Sequence, residues 1–163
     1  MAIRIIITGG TFDKQYDELK GELAFKDSHL PEIIRTIRST IPIELEINQL
    51  IDSLEMNMSN RLSILESCRR APEDKIIIIH GTDTMTETAK ILGEADLDKC
   101  VVLTGAMVPY AVNHSDALFN LGCSFTTVQL AAKGVYVVMN GRIFSWDKVR
   151  KDRERGVFKE VED

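Results

Sequence analysis

No apolar run in this chain approaches the ~20 residues that a membrane-crossing helix requires. The N-terminus, Met1-Ala2-Ile3-Arg4, passes directly into a strand-like run. It lacks the basic segment, apolar segment and small-residue cleavage site of a secretory leader. Cysteine is scarce: Cys68, Cys100 and Cys123 are odd in number and form no CxxC pair. They read as buried or half-buried thiols in a reducing compartment, and the expected location is cytoplasmic. His29, His80 and His114 lack the HExxH spacing of a zinc site, so no metal is expected. There is no GxxxxGK followed by Ser or Thr and no GxGxxG, which leaves no phosphate cradle and no implied cofactor. The formal net charge of −5 argues against a broad surface for nucleic acid or an anionic membrane.

What remains is a 163-residue chain with 44% hydrophobic and 28% charged residues, sized for one domain over 1–163 with one core. Five short, β-branched runs read as buried strands: Ile3–Ile7, Ile43–Ile47, Lys75–Ile79, Cys100–Leu103 and Val135–Met139. Near-continuous apolar character marks parallel strands covered on both faces. Helical spacing lies between them. Pro31 suits a first turn, followed by Ile33, Ile34, Ile37 and Ile41. Asn60 to Arg70 places Leu62, Leu65 and Cys68 on an inner stripe. Thr84 and Glu87 have capping-box spacing, with Met85, Ala89 and Leu92 on one face. Leu118, Leu121, Phe125 and Val128 mark a longer helix after Ser115. This alternation implies an α/β fold, a doubly wound parallel sheet with helices on both faces. The charged stretch Asp147–Glu154 and the closing Glu160-Val161-Glu162-Asp163 read as a solvated tail.

Ligands of open parallel sheets bind beyond the carboxyl ends of the strands. Those ends carry Thr8-Gly9-Gly10-Thr11, Asp52-Ser53-Leu54-Glu55-Met56, His80-Gly81-Thr82-Asp83-Thr84-Met85 and Thr104-Gly105-Ala106-Met107, with Lys151 further on. Hydroxyls, an acid and an amine thus converge on one edge. Gly9 and Gly10 permit a tight turn and close backbone approach. Thr11 then presents a hydroxyl, either as an activated nucleophile or as a plain turn-former. Thr82 and Asp83 precede a helix, where one of them could simply cap it. Alternatively, Thr82 offers a hydroxyl to a water or carbonyl while Asp83 orients Lys151 for proton transfer. Taken alone, Lys151 reads as a solvated lysine and His80 as a packed one.

Together the strings Ile7-Thr8-Gly9-Gly10-Thr11, His80-Gly81-Thr82-Asp83-Thr84-Met85-Thr86-Glu87-Thr88 and Thr104-Gly105-Ala106-Met107 resemble the L-asparaginase/glutaminase family of bacterial-type threonine amidohydrolases. Asp52-Ser53-Leu54-Glu55-Met56, Ser115-Asp116-Ala117, Phe119-Asn120-Leu121 and Gly134-Val135-Tyr136-Val137-Val138-Met139-Asn140 fit as well, so the likeness spans nearly the whole chain. The resemblance implies a flavodoxin-like strand order and hydrolysis of L-asparagine with release of ammonia. It makes Thr11 the primary nucleophile and Thr82, Asp83 and Lys151 a supporting triad. Tyr16 becomes the lid tyrosine. Ser53 and Asp83 would bind the amino acid's charged ends, and Gly10, Thr82 and Ala106 would line the substrate, with an oxyanion hole of amides near Gly10 and Thr82. The expected partner is a small amino-acid amide, and the expected assembly a homo-oligomer, a dimer or higher.

Three departures accompany the likeness. The family's smaller C-terminal domain is absent from this sequence, the lid segment Phe12–Phe25 is short and charged, and Leu54 stands where a polar residue is common. A non-catalytic amino-acid-binding or regulatory domain is the alternative reading. A receiver domain is set aside, because it needs acidic residues where Thr8-Gly9-Gly10-Thr11 stands.

Overall fold

Isoleucine builds the centre of this protein. In the computed structural model, which describes residues 1–162, strand β1 (Ile3–Gly9) sends Ile5 and Ile7 to one face and Ile6 to the other. Both faces are dry, because Ile5, Ile6 and Ile7 are all fully buried. Each such side chain contributes about 1.5–3 kcal/mol relative to exposure. The same division recurs in β5 (Lys75–Ile79), with Ile76 and Ile78 on one side and Ile77 and Ile79 on the other.

The remaining elements run in chain order as a short hairpin of β2 (Gln15–Asp17) and β3 (Glu22–Ala24), then α1 (Leu30–Thr36), β4 (Ile43–Ile51) and α2 (Met58–Arg70). After β5 come α3 (Met85–Glu94), β6 (Cys100–Thr104), α4 (Ala117–Leu130) and β7 (Gly134–Met139). The chain then forms β8 (Arg142–Ser145), β9 (Val149–Asp152) and β10 (Val157–Glu160). The main sheet has the order β4-β1-β5-β6-β7-β8. Its first five strands are parallel, and β8 adds antiparallel at the edge. Counting only the parallel strands, this is the expected flavodoxin-like order. Helices α2 and α3 pack on one face, and α1 and α4 on the other.

The structure corrects several sequence expectations. The charged stretch after Met139 is not a solvated tail. Asn140 and Gly141, with φ of 55 and 73, make the tight turn that returns β8 onto β7. Strands β9 and β10 then form an antiparallel hairpin whose Val149 and Phe158 are buried in the core. Asp163, part of the same expectation, lies outside the described residues.

No capping box forms at Thr84 and Glu87, because the Thr84 hydroxyl donates to the Ser53 carbonyl instead. Reciprocal capping occurs on α2, between Asn57 and Asn60. Helix α1 stops at Thr36, and Arg38 at φ 55 leaves the right-handed path, so Ile37 and Ile41 fall beyond it. Leu62 and Leu118 are exposed, while Leu65 and Cys68 are buried as expected and Ile64 and Arg61 join them on the inner side of α2. Leu118 instead lines an open apolar cleft of about 720 Å³ between α4 and β8, with Phe119, Leu130 and Ile143.

Candidate active site

The carboxyl ends of β1, β4, β5 and β6 meet at one edge, and two glycines set how closely. Gly9 and Gly10 have φ of 101 and 75. A Cβ on Gly10 would lie 2.4 Å from both Cα and N of Gly81. The loop carrying Thr11 therefore packs backbone to backbone on the loop carrying Thr82. Gly81 in turn lies against Ser53, whose Cβ and Oγ would be 2.6 Å from an added methyl. Glycine is required here by contact as well as by conformation.

Thr11 opens a single 3-10 turn, Thr11–Asp13, and is half-buried. Among the described residues its hydroxyl has no hydrogen-bond partner, which leaves it free to meet a ligand. The N–H of Gly10, expected to serve the substrate, instead donates to the Ile51 carbonyl at 3.0 Å. The adjacent amides of Thr11 and Thr82 have no partner among the described residues. They are the donors available for a developing oxyanion.

Lys151 projects from β9 on the same inward side as Val149. Its Nζ donates to Thr82 Oγ1 at 2.8 Å and to Asp83 Oδ1 at 2.9 Å. Only 9% of the Lys151 side chain is exposed, so this is no surface lysine. Thr82 is also buried, and Asp83 is half-buried with its carbonyl accepting from Arg153. A hydroxyl, an amine and a carboxylate in contact can relay a proton.

A surrounding set of bonds fixes the loops. Lys14 donates to Asp52 at 2.6 Å, while the other Asp52 oxygen accepts from the Leu54 amide and so caps the Ser53 turn. The Lys14 ammonium holds the Asp52 carboxyl below its ordinary value. Asp13 is fully buried and accepts from Ser28 and from the His29 amide, closing the loop that carries the β2–β3 hairpin. Burial pushes the Asp13 carboxyl up, against those two hydrogen bonds. Arg61 bonds the Met56 carbonyl and the Thr84 hydroxyl and pairs with Glu87. Asp116 accepts from the amides of Met107 and Val108, and Asn120 donates to the Gly105 carbonyl. These contacts frame Ala106, which is buried.

Ser53 is buried as well, and its hydroxyl accepts from the Thr84 amide at 3.2 Å. Tyr16 stands apart on β2 at 66% exposure, its hydroxyl making no hydrogen bond among the described residues. His80 is wholly buried between the Gly81 carbonyl and the Thr88 hydroxyl, and burial lowers its pKa to about 4. Among the described residues no three His, Cys, Asp or Glu side chains cluster as metal ligands. Sequence reasoning missed Arg61, Lys14, Asp52 and Asn120 as organisers. Asp52 had a signal, since a short acid before Ser-Leu-Glu is a natural N-cap. Asn120 had one too, in the string Phe119-Asn120-Leu121 that fits the family, whereas Lys14 and Arg61 had none.

The chain as a whole is similar to known proteins. The family model described as asparaginase, N-terminal, covers residues 2–158. L-asparaginase 1 of Escherichia coli K12 is 28% identical over 165 residues, spanning 95% of this chain and 48% of that protein. The thermostable L-asparaginase of Thermococcus kodakarensis superposes with a TM-score of 0.88 at 27% identity, covering 99% of this chain and 51% of that one. A probable cytoplasmic L-asparaginase of Campylobacter jejuni gives 0.83 at 30% identity, covering 98% and 52%. The chain thus spans about half the length of these relatives. It belongs to the asparaginase family, matching that family's N-terminal domain.

Proposed function

We propose that this chain hydrolyses the side-chain amide of L-asparagine, with Thr11 as nucleophile. The observation that carries the reading is the contact of Lys151 with both Thr82 and Asp83, set against the Thr11 loop by the Gly10–Gly81 packing. The Thr11 oxygen attacks the amide carbon and gives up its proton to the Thr82–Lys151–Asp83 set, and the carbonyl oxygen takes the negative charge towards the amides of Thr11 and Thr82. Collapse breaks the C–N bond. The nitrogen leaves as ammonia with a proton relayed through the Thr82–Lys151–Asp83 set, and an ester remains on Thr11. Water then cleaves the ester, giving aspartate and restoring the hydroxyl. Ser53 and Asp83 hold the amino acid's charged ends, Ala106 lines the substrate, and Tyr16 closes over Thr11 from the hairpin.

The same reading carries a homo-oligomer and a cytoplasmic location. No helix among the described residues is long and apolar enough to cross a membrane. One structural neighbour is described as a probable cytoplasmic L-asparaginase.

Ammonia release from purified protein, across asparagine, glutamine and related amides, tests the activity. Turnover on asparagine that survives a chelator is the expected result. Loss with chelator and recovery with a divalent metal would overturn the cofactor-free mechanism. Asparagine binding without ammonia release would leave a non-catalytic binding domain. Light scattering decides assembly, and a strict monomer at micromolar concentration would remove the oligomer.

A further inference from the structure

We propose that Met107 is a positioning residue for Thr82, with its thioether acting as the resting acceptor of the Thr82 hydroxyl proton. The inference rests on the amidohydrolase reading for its kinetic consequence, but not for its geometry.

The Thr82 hydroxyl has one proton and two lone pairs. Lys151 donates into one lone pair at 2.8 Å. The hydroxyl proton must therefore point elsewhere, and it points to Met107 Sδ at 3.6 Å. A thioether is a weak acceptor, so the bond orients the proton at little cost to its release. Turned away from the sulfur, the hydroxyl can give this proton to the leaving nitrogen while Lys151 passes one of its own into the lone pair it already occupies. A stronger partner would work against this. A carboxamide in the same place could hold the Thr82 proton through its oxygen, or fill the open lone pair through its nitrogen.

Met107 does not reach Thr82 by chance rotation of a free loop. Asp116, at the start of α4, accepts from the Met107 amide with both carboxylate oxygens, at 3.1 and 3.0 Å. The same carboxylate accepts from Val108, and Asn120 binds both Asp116 and the Gly105 carbonyl. Asp116, the N-cap of α4, and Asn120 within it thus fix the backbone on both sides of Met107. Asp116 acts through Met107 and touches no reacting atom.

Two measurements test this on the full chain. Threonine methyl NMR reads the Thr82 rotamer directly. The Thr82 methyl resonance is expected to move in Met107→Leu and in Met107→Gln, while that of Thr11 stays in place. Steady-state ammonia release reads the consequence. Met107→Leu, close in volume but without an acceptor, is expected to lower kcat about two- to fivefold, the scale of a lost weak hydrogen bond. Met107→Gln is expected to lower kcat by roughly tenfold or more, towards the range of impaired proton transfer, with KM within about twofold. Asp116→Asn should lower kcat in the native background and add little to Met107→Leu, because the two act through one contact. A Thr82 methyl resonance unmoved in Met107→Leu would overturn the inference, as would full kcat in Met107→Gln. If the native protein releases no ammonia from any amide, the functional reading falls, and the methyl resonance alone decides the role of Met107.

Discussion

Replacing Gly10 by alanine tests whether the Thr11 and Thr82 loops are held together by bare backbone. Gly10 has φ 75 and ψ −178, a region open essentially to glycine alone. Forcing alanine into such a conformation costs about 1–3 kcal/mol. The new Cβ would also stand 2.4 Å from Gly81 Cα and N, main-chain atoms that no rotamer change can move aside. Overpacking of this kind adds about 1–3 kcal/mol. The total, about 2–6 kcal/mol, is a large share of the ~5–15 kcal/mol that keeps a domain folded. At about 2–4 °C per kcal/mol for a chain of this size, the melting midpoint should drop by about 4–24 °C. Turnover should fall further than stability, because a displacement near 1 Å between catalytic groups costs roughly 100-fold. Thermal unfolding by circular dichroism and ammonia release at a temperature where the variant is folded measure the two effects. Gly81→Ala provides the contrast. Its φ is not positive, so only the clash with Ser53 remains, at about 1–3 kcal/mol. A Gly10→Ala protein that melts within about 2 °C of the native one and keeps full turnover would refute the reasoning.

Thr11→Ala and Thr82→Ala should each lower kcat by at least ~100-fold in the ammonia assay while circular dichroism shows both folded. Near-native turnover in Thr11→Ala would remove it as nucleophile. His80 should bind no proton until far below its ordinary range. Its folded pKa of about 4 lies under the unfolded value of ~6.5, so the unfolded chain takes up a proton that the folded one refuses. Stability should therefore be lost as pH falls from ~6.5 to ~4, by up to about 3 kcal/mol, and His80 ring resonances that titrate near pH 6.5 in the folded protein would contradict this. Burial pushes the Cys68 thiol up to about 12, so a thiol-specific reagent at pH 8 should modify Cys68 only after unfolding, as peptide mass mapping can show.

The parallel sheet was legible because its strands are nearly pure β-branched runs, and no competing pattern fits Lys75–Ile79. The cluster of Thr82, Asp83 and Lys151 was legible through motif likeness, and its members lie in hydrogen-bond contact. The hairpin of β9 and β10 was not legible as a strand pair. Its inward positions carry Val149, Lys151 and Phe158 among six charged neighbours from Lys148 to Arg155, too few apolar residues to show alternation. Gly156, at φ 64, and the Asn140-Gly141 pair were the available turn signals. Arg61 illustrates the harder case. A buried arginine follows from where carbonyls and hydroxyls happen to converge, and the helical period of α2 alone marks it as one more solvated charge. Thr84 failed as a predicted cap for a similar reason, since Ser53, distant in sequence, offered its hydroxyl a better acceptor.

The lysine that completes the triad stands 69 residues after Thr82 and belongs to a hairpin held to the core by Val149 and Phe158. During synthesis Thr11 and Thr82 leave the ribosome well before Lys151 does. The nascent sheet can therefore assemble before the Thr82–Asp83–Lys151 contact exists, and on the proposed function turnover would wait for the docking of β9 and β10. A lesion at Phe158 would leave every ligand-facing group intact and still switch the molecule off. Conversely, a separately supplied β9–β10 peptide would be the natural fragment with which to switch it on.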